Sequence, residues 1–436
     1  RKLLDPLADL YAAGKIATIA EQVAVARSLA LNGYFKDANQ VMADANEAVA
    51  TPAERKLVEL NWGKLFLSKH NFRDADAAFA SVLKLDVRHE EAVVAMARID
   101  LDSDHDVGRA RKRLDKVLKR NPHSVAALVV RAEVAIADED DAQAAVFLKR
   151  AAAIAPDNAA VLAVGVALAA LTDDKKALDR GLARAHAIDI SDGGPHLVAA
   201  RYLEAAHRYG LVREHLQAAI KIDPELWPAH AALGMAYARV VDDENALKHL
   251  NAAYQGDPFD VRTANVLNVL YDGVLRHMVT LPGEHVELRV HRADRIALER
   301  SVLPFLQTSV VQLGERYAMT ADKPLRVEIF PTVEQFSVRT VGLPRLGAHA
   351  VCFGHLITSR SPVEAPFNWK MVLHHELAHV FHIQASEGRV PRWLTEGLAM
   401  MESAWLDARY HMVMERALYD RLREGKLTPV ATFNLA

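Results

Sequence analysis

Apolar and polar positions follow two different rules along this chain. From about residue 20 to residue 260, small and apolar residues recur at helical spacing, and the whole pattern returns every 34 residues. Pro122, Pro156, Pro224 and Pro258 lie on that grid, with Ile190 at the missing point. Ala151, Ala185, Ala219 and Ala253 keep the same period, as do Ala132, Ala200 and Gly234, and Ala144 and Ala246. Equivalent turns occur earlier, at Gly33-Tyr34-Phe35-Lys36-Asp37-Ala38 and Asn71-Phe72-Arg73-Asp74-Ala75. Each unit reads as helix–turn–helix. Small residues let its two helices approach closely, and proline opens the next helix where its missing N–H is not needed. About six to seven units fit the span. A bundle keeps no fixed period, so the pattern predicts a stacked array. The acidic run Asp138-Glu139-Asp140-Asp141 reads as a solvated turn, and His105, His123 and His215 as scattered surface or packing residues. A last apolar helix, from Phe259 to about Val279, is expected to cap the array. Thr280-Leu281-Pro282-Gly283-Glu284 then breaks the helical pattern, which divides the chain into residues 1–280 and 281–436.

Beyond that break the period changes. Val286-Glu287-Leu288-Arg289-Val290 and Leu325-Arg326-Val327-Glu328-Ile329-Phe330 alternate and predict strands. Asp294 to about Tyr317 predicts a long helix, and Pro331 to Thr340 a short one. Further strands are expected around Ala350-Val351-Cys352-Phe353 and Leu356-Ile357-Thr358, with an edge strand in the 350–358 stretch. Asn368 then caps a helix running to Gln384, Gly388 turns the chain, and Pro391 fits the first position of a second helix.

Composition narrows the function classes. At 436 residues, two or three domains are expected. The 53 basic residues nearly balance the 56 acidic ones, giving a formal net charge of −3, so there is no electrostatic case for a nucleic-acid partner. Cys352 is the single cysteine, which excludes an intrachain disulfide and a cysteine-based metal site. No apolar run reaches the length of a membrane span. The opening Arg1-Lys2-Leu3-Leu4-Asp5-Pro6 and the closing 428–436 stretch suggest that both ends are trimmed. The compartment is therefore open: periplasmic or secreted if a signal peptide was removed, otherwise cytoplasmic.

The chemistry-bearing stretch is His375-Glu376-Leu377-Ala378-His379, of the form H-E-x-x-H, inside the capped helix. Residues four apart share one helix face, so two imidazoles there can grip one ion, and the adjacent Glu can reach a water on it. Pro391-Arg392-Trp393-Leu394-Thr395-Glu396-Gly397-Leu398-Ala399 follows, and the helical hairpin can fold Glu396 back toward both histidines. His382 competes as third ligand. Seven residues from His375 rise about 10.5 Å along the axis, too far for one ion at about 2 Å, so Glu396 ranks above it. His374 points about 100° away and reads as an outer or structural residue. Glu402 could orient a ligand imidazole through its free N–H.

Two resemblances follow from these residues. The 34-residue helix–turn–helix unit resembles the tetratricopeptide repeat, whose arrays bind peptides or proteins. Residues 284–425, on the stretches Gln335 to Val341, Gly347 to Thr358 and Phe367 to Ala399, resemble the peptidase-MA-like gluzincin metallopeptidases found joined to such arrays. The implied fold is mainly α: a tetratricopeptide α-solenoid followed by an α+β metallopeptidase domain with a small mixed sheet and an active-site helix. The resemblance implies Zn²⁺ held by His375, His379 and Glu396, a metal-activated water, and Glu376 as the base that passes its proton to the leaving amine. It also implies an oxyanion-stabilising residue beyond the third ligand, for which Tyr410, His411 and Tyr419 are the candidates, and a catalytic domain that continues past residue 436. The Gly-x-Met-Glu-Asn signature of related aminopeptidases is absent, which favours an endopeptidase. The expected activity is thus a zinc-dependent peptidase whose repeats recruit a protein substrate or partner. The rival is a protein-binding scaffold with an inactive or incomplete peptidase domain.

Overall fold

A computed structural model describes residues 9, 11, 13–104, 106–320 and 324–427. The opening stretch 1–6, His105 and the closing stretch 428–436 lie outside the described residues. The chain forms two compact units, residues 1–190 with 254–261, and residues 191–253 with 262–436. The change of pattern at Thr280 falls inside the second.

The first unit is built of helix pairs: α1 (Ile19–Leu31) with α2 (Phe35–Ala48), α3 (Pro52–Ser68) with α4 (Phe72–Leu85), α5 (Glu90–Asp102) with α6 (Val107–Arg120), α7 (Val125–Ala137) with α8 (Asp141–Ile154), and α9 (Ala159–Leu171) with α10 (Lys175–Ile188). The 34-residue grid is a grid of helix ends. Asp106, Asp140 and Asp174 each accept a backbone N–H three residues on, and Ser124 and Asn158 do the same for the other helix of the pair. Each such cap satisfies an amide that the helix leaves without an internal partner. The residue before the cap, Glu139 or Asp173, turns the chain with a positive φ. The alanines of the grid lie in the helix–helix seams: Ala132, Ala144 and Ala151 have no exposed surface. The acidic run is a turn with Glu139 and Asp141 exposed as expected, but Asp138 is not solvated. Asp138 is buried and ion-paired with Arg111, while Asp140 caps α8. Repulsion within the run is thereby offset by a cation from the neighbouring helix pair.

The second unit holds the helices α11 (Gly194–Ala205), α12 (Tyr209–Ile222), α13 (Trp227–Arg239) and, up to Ala253, α14 (Asp243–Gly256), folded together with a five-stranded sheet. Gly234 is needed where α13 meets α14, because a Cβ there would stand 2.7 Å from Leu250. The capping helix is shorter than its sequence suggests. A turn of helix, α15 (Val261–Asn265), passes into a π-turn at Val266–Tyr271 and stops at Gly273, where a Cβ would lie 2.3 Å from the Val269 carbonyl oxygen. Met278–Leu281, read as the end of that helix and its breaker, is instead strand β1. It pairs antiparallel with β2 (Val286–His291) and buries Met278 and Leu281.

The sheet order is β1-β2-β3-β5-β4, with β3 (Leu325–Phe330), β4 (Ala350–Cys352) and β5 (Leu356–Arg360). The three central strands are parallel and the outer two antiparallel, so the sheet is mixed. Of the 350–358 stretch, only β4 stands at the edge; β5 is internal. The helix α16 (Arg295–Tyr317) packs Leu298, Val302, Leu306 and Val310 into one core with Val286, Leu288, Val327, Ile329 and Ile357. The short helix α17 (Val333–Val341) supplies Arg339, a fully buried guanidinium. Its Nε bonds to Glu328 at 2.7 Å and its Nη2 to the carbonyl oxygen of Ala238 at 2.9 Å, so the buried carboxylate balances its charge and the two contacts tie α17 to β3 and to the end of α13. Leu373, Leu377, Val380 and Phe381 of the next helix join the same core as α16, which fixes the helix that carries the metal-type motif.

Candidate metal centre

That helix, α18 (Trp369–Ser386), begins where the Asn368 side chain accepts the Met371 N–H at 3.3 Å. Its apolar side is held by the core, which leaves His375, Glu376 and His379 along the opposite edge. It ends at Glu387 and Gly388, both with positive φ, and a Cβ on Gly388 would lie 2.7 Å from the Ala206 carbonyl oxygen. The tight turn brings α19 (Arg392–Leu406) back alongside α18; Pro391 is its cap rather than its first residue. The hairpin thereby places Glu396 at the two histidines.

The geometry is compact. His375 Nε2 and His379 Nε2 are 3.0 Å apart, and Glu396 Oε2 lies 3.3 Å from the first and 3.7 Å from the second. Among the described residues, this is the trio of His, Cys, Asp and Glu ligand atoms found within 4.8 Å of one another. His382 does not join it. Its Nδ1 faces Thr395 Oγ1 at 2.9 Å and its Nε2 faces Tyr317 Oη at 2.8 Å. Both ligand-type imidazoles are tied from behind: His375 donates to the Ala399 carbonyl oxygen, and His379 Nδ1 lies 2.7 Å from Thr395 Oγ1.

Electrostatics follow from these contacts. Hydrogen bonds from His375 and His379 hold the Glu396 carboxyl well below the usual carboxylate range. Burial would lower the His375 pKa, but the bond to Glu396 and the charges of Glu376 and Glu396 outweigh it and raise it. Burial pushes the Glu376 carboxyl up, against the pull of the two histidines and a hydrogen bond from the Cys352 N–H of the edge strand. A carboxyl held by a backbone amide and raised by burial is a stronger base than an exposed one. Burial likewise pushes the Cys352 thiol up and away from reactivity.

The other sequence candidates fall elsewhere. His374 is buried, its ring 6.5 Å from Phe305, and it is pushed down to about 4 by burial, then by Arg316 and His375. Glu402 is buried and meets Arg316 and Tyr317 rather than either ligand-type imidazole. Tyr410 closes a short 3₁₀ turn, His411 faces Glu415 at 3.3 Å, and Tyr419 is exposed on α20 (Met412–Arg423). Among the described residues, none of these three shares a hydrogen bond or ring contact with the trio. His215, read as a surface or packing residue, packs its ring on His196. Sequence reading missed His207, which sits in the turn before α12 with a positive φ. It is pushed down to about 4 by burial and by the charge of His379. It also missed Tyr209, held 3.0 Å from His207, and Thr395. No local signal marks them, since each acts across a long stretch of chain or through a hydroxyl.

A family description, Tetratricopeptide repeat, matches residues 103–171. No curated protein matches the chain. Among solved structures, a tetratricopeptide repeat protein from Parabacteroides merdae is 13% identical, covering 54% of this chain and 92% of its own, with a TM-score of 0.37. YrrB, described as a TPR protein with an unusual peptide-binding site, is 19% identical over 45% of this chain and 100% of its own, with a TM-score of 0.26. The type IV pilus biogenesis factor PilW is 13% identical over 47% of this chain and 94% of its own, with a TM-score of 0.36. No helix among the described residues is long and apolar enough to cross a membrane.

Proposed function

We propose that this chain is a protein-recruiting tetratricopeptide array joined to a zinc-dependent hydrolytic centre that cleaves peptide bonds. The recruiting half is supported by the family match to the repeats, because stacked helix pairs present an extended surface suited to peptides and proteins. The hydrolytic half is carried by one observation, the triangle of His375 Nε2, His379 Nε2 and Glu396 Oε2 at 3.0, 3.3 and 3.7 Å.

That triangle suits the ion. Ligand atoms about 2.0–2.1 Å from a tetrahedral centre stand about 3.3 Å apart. Two imidazole nitrogens at 3.0 Å need a proton or a cation between their lone pairs, and a carboxylate beside them favours positive charge there. His375, His379 and Glu396 would hold the ion, and three protein ligands of this type leave a position open to reactants. Bound there, zinc would supply Lewis-acid polarisation of a carbonyl and acidification of water. Glu376 supplies the proton traffic. Its carboxylate, oriented by the Cys352 N–H, takes a proton from the attacking water and delivers it to the leaving amine. The absence of an aminopeptidase signature favours internal bonds over terminal ones.

A scaffold without hydrolysis is the second reading, favoured by a family match that falls on the repeats. Zinc-loaded protein and an unstructured substrate such as casein separate the two. Cleavage by the wild type, lost in Glu376→Gln with zinc retained, supports the peptidase; a zinc-loaded wild type as inert as Glu376→Gln leaves the scaffold.

A further inference from the structure

Behind His379 runs a chain of hydrogen bonds that the motif does not announce. His379 Nδ1 meets Thr395 Oγ1 at 2.7 Å, Thr395 Oγ1 meets His382 Nδ1 at 2.9 Å, His382 Nε2 meets Tyr317 Oη at 2.8 Å, and Tyr317 Oη meets Glu402 Oε1 at 3.0 Å. Glu402 is 1% exposed, and its other oxygen lies 2.7 Å from Arg316 Nη1. The chain therefore starts on a buried carboxylate and ends on one of the three metal-type ligands.

Each hydroxyl in the chain has one proton, and that fixes the direction of every bond. The Glu402 carboxylate, paired with Arg316, only accepts, so the Tyr317 hydroxyl donates to it. Tyr317 Oη then accepts from His382 Nε2–H. A neutral His382 has a bare Nδ1, which accepts the Thr395 hydroxyl proton. Thr395 Oγ1 in turn accepts from His379 Nδ1–H. The remaining nitrogen of His379, Nε2, carries its lone pair, and it is the nitrogen that faces His375 and Glu396. With His382 neutral and Glu402 a carboxylate, no other assignment uses all four bonds.

We propose that Thr395, His382, Tyr317 and Glu402 are positioning residues that lock His379 as the Nδ1–H tautomer and so set the affinity of the centre for its metal ion. The inference rests on the metal-centre reading above and adds to it the source of the tautomer. A direct carboxylate–imidazole contact is the simple way to orient a metal-bound histidine. Here the carboxylate acts at a distance, through two hydroxyls and a second imidazole. His382 thereby acquires a role that excludes it as a ligand, because both of its ring nitrogens are engaged in the chain.

The test is zinc affinity of the full chain, measured by competition with a chromogenic chelator, together with the visible spectrum of the cobalt-substituted protein. Thr395→Val keeps the shape and removes the hydroxyl; it should weaken zinc binding by about 10–100-fold and perturb the cobalt spectrum. Thr395→Ser should restore both. Tyr317→Phe should weaken binding less, and Tyr317→Phe with Thr395→Val should be no worse than Thr395→Val alone, because both break one chain. Wild-type affinity in folded Thr395→Val and Tyr317→Phe overturns the inference, as does full additivity in the double variant. If Thr395→Val does not fold, Tyr317→Phe decides: unchanged zinc affinity overturns it. A wild type that binds zinc only as well as His379→Ala overturns the metal-centre reading itself, an outcome distinct from a zinc-binding wild type indifferent to Thr395.

Discussion

Two kinds of histidine pair occur in this molecule. In the helix pairs of the second unit, His196 and His215 face each other through Nδ1 at 3.0 Å, and His230 and His249 do so at 3.1 Å, one 34-residue period later. In the helical hairpin, His375 and His379 face each other through Nε2 at 3.0 Å. The nitrogen separation is the same, and the surroundings differ. Each repeat pair shares an N···N contact, His230 Nε2 also reaches the Pro224 carbonyl oxygen at 3.3 Å, and no carboxylate joins either pair into a trio among the described residues. The hairpin pair has Glu396 at 3.3 and 3.7 Å, Glu376 alongside, and hydrogen bonds behind both rings. A histidine pair is therefore not itself a site; what distinguishes the hairpin pair is a carboxylate oxygen within reach of both nitrogens.

The comparison can be broken in four places, in order of expected effect. Glu376 is the base beside the hairpin pair, so Glu376→Gln should lower casein hydrolysis by about 10²–10⁴-fold while zinc content stays near that of the wild type. Glu396→Ala reduces the hairpin pair to the two-nitrogen state of the repeats, and zinc affinity should fall more than about 100-fold, beyond the effect of an outer partner. As a control outside that order, His215→Ala with His249→Ala should change zinc affinity by less than about 3-fold in the same chelator assay.

The third prediction concerns pH. His374 is buried on the far side of the hairpin and its pKa is depressed from 6.5 to about 4. Above pH 6.5 it is neutral in both folded and unfolded chains. As pH falls from 6.5 toward 4, the unfolded chain takes up the proton and the folded one does not, so stability drains away over that window, by up to about 3 kcal/mol. Urea unfolding at pH 7, 6 and 5 should show a shallower loss in His374→Phe than in the wild type. The smallest effect belongs to the array. Asp140→Ala removes the cap of α8 and should cost about 1 kcal/mol of stability with zinc affinity unchanged.

How much of this was legible in the sequence depended on the distance over which each signal acts. The repeats announced themselves because every 34th residue does the same local job: Asp106, Asp140 and Asp174 cap, and Ala132 and Ala200 fill a seam. His375, His379 and Glu396 were legible as one helix face and its hairpin partner. Strand β1 was not, since four residues carry too short an alternation to stand out beside an apolar helix, and Gly273 gives no hint that it ends one. Asp138 looked solvated because its partner Arg111 belongs to the preceding pair. Tyr317 and His207 were invisible for the same reason, reaching the centre's surroundings from 65 residues before His382 and from a repeat turn.

The central claim is that His375, His379 and Glu396 form a metal centre, and its most direct test is zinc stoichiometry after exhaustive dialysis of the full chain. Wild type and the His215→Ala/His249→Ala variant should each retain about one zinc per chain, and His375→Ala/His379→Ala should retain essentially none. A wild type that retains no zinc, or a His375→Ala/His379→Ala variant that retains as much as the wild type, would contradict the account.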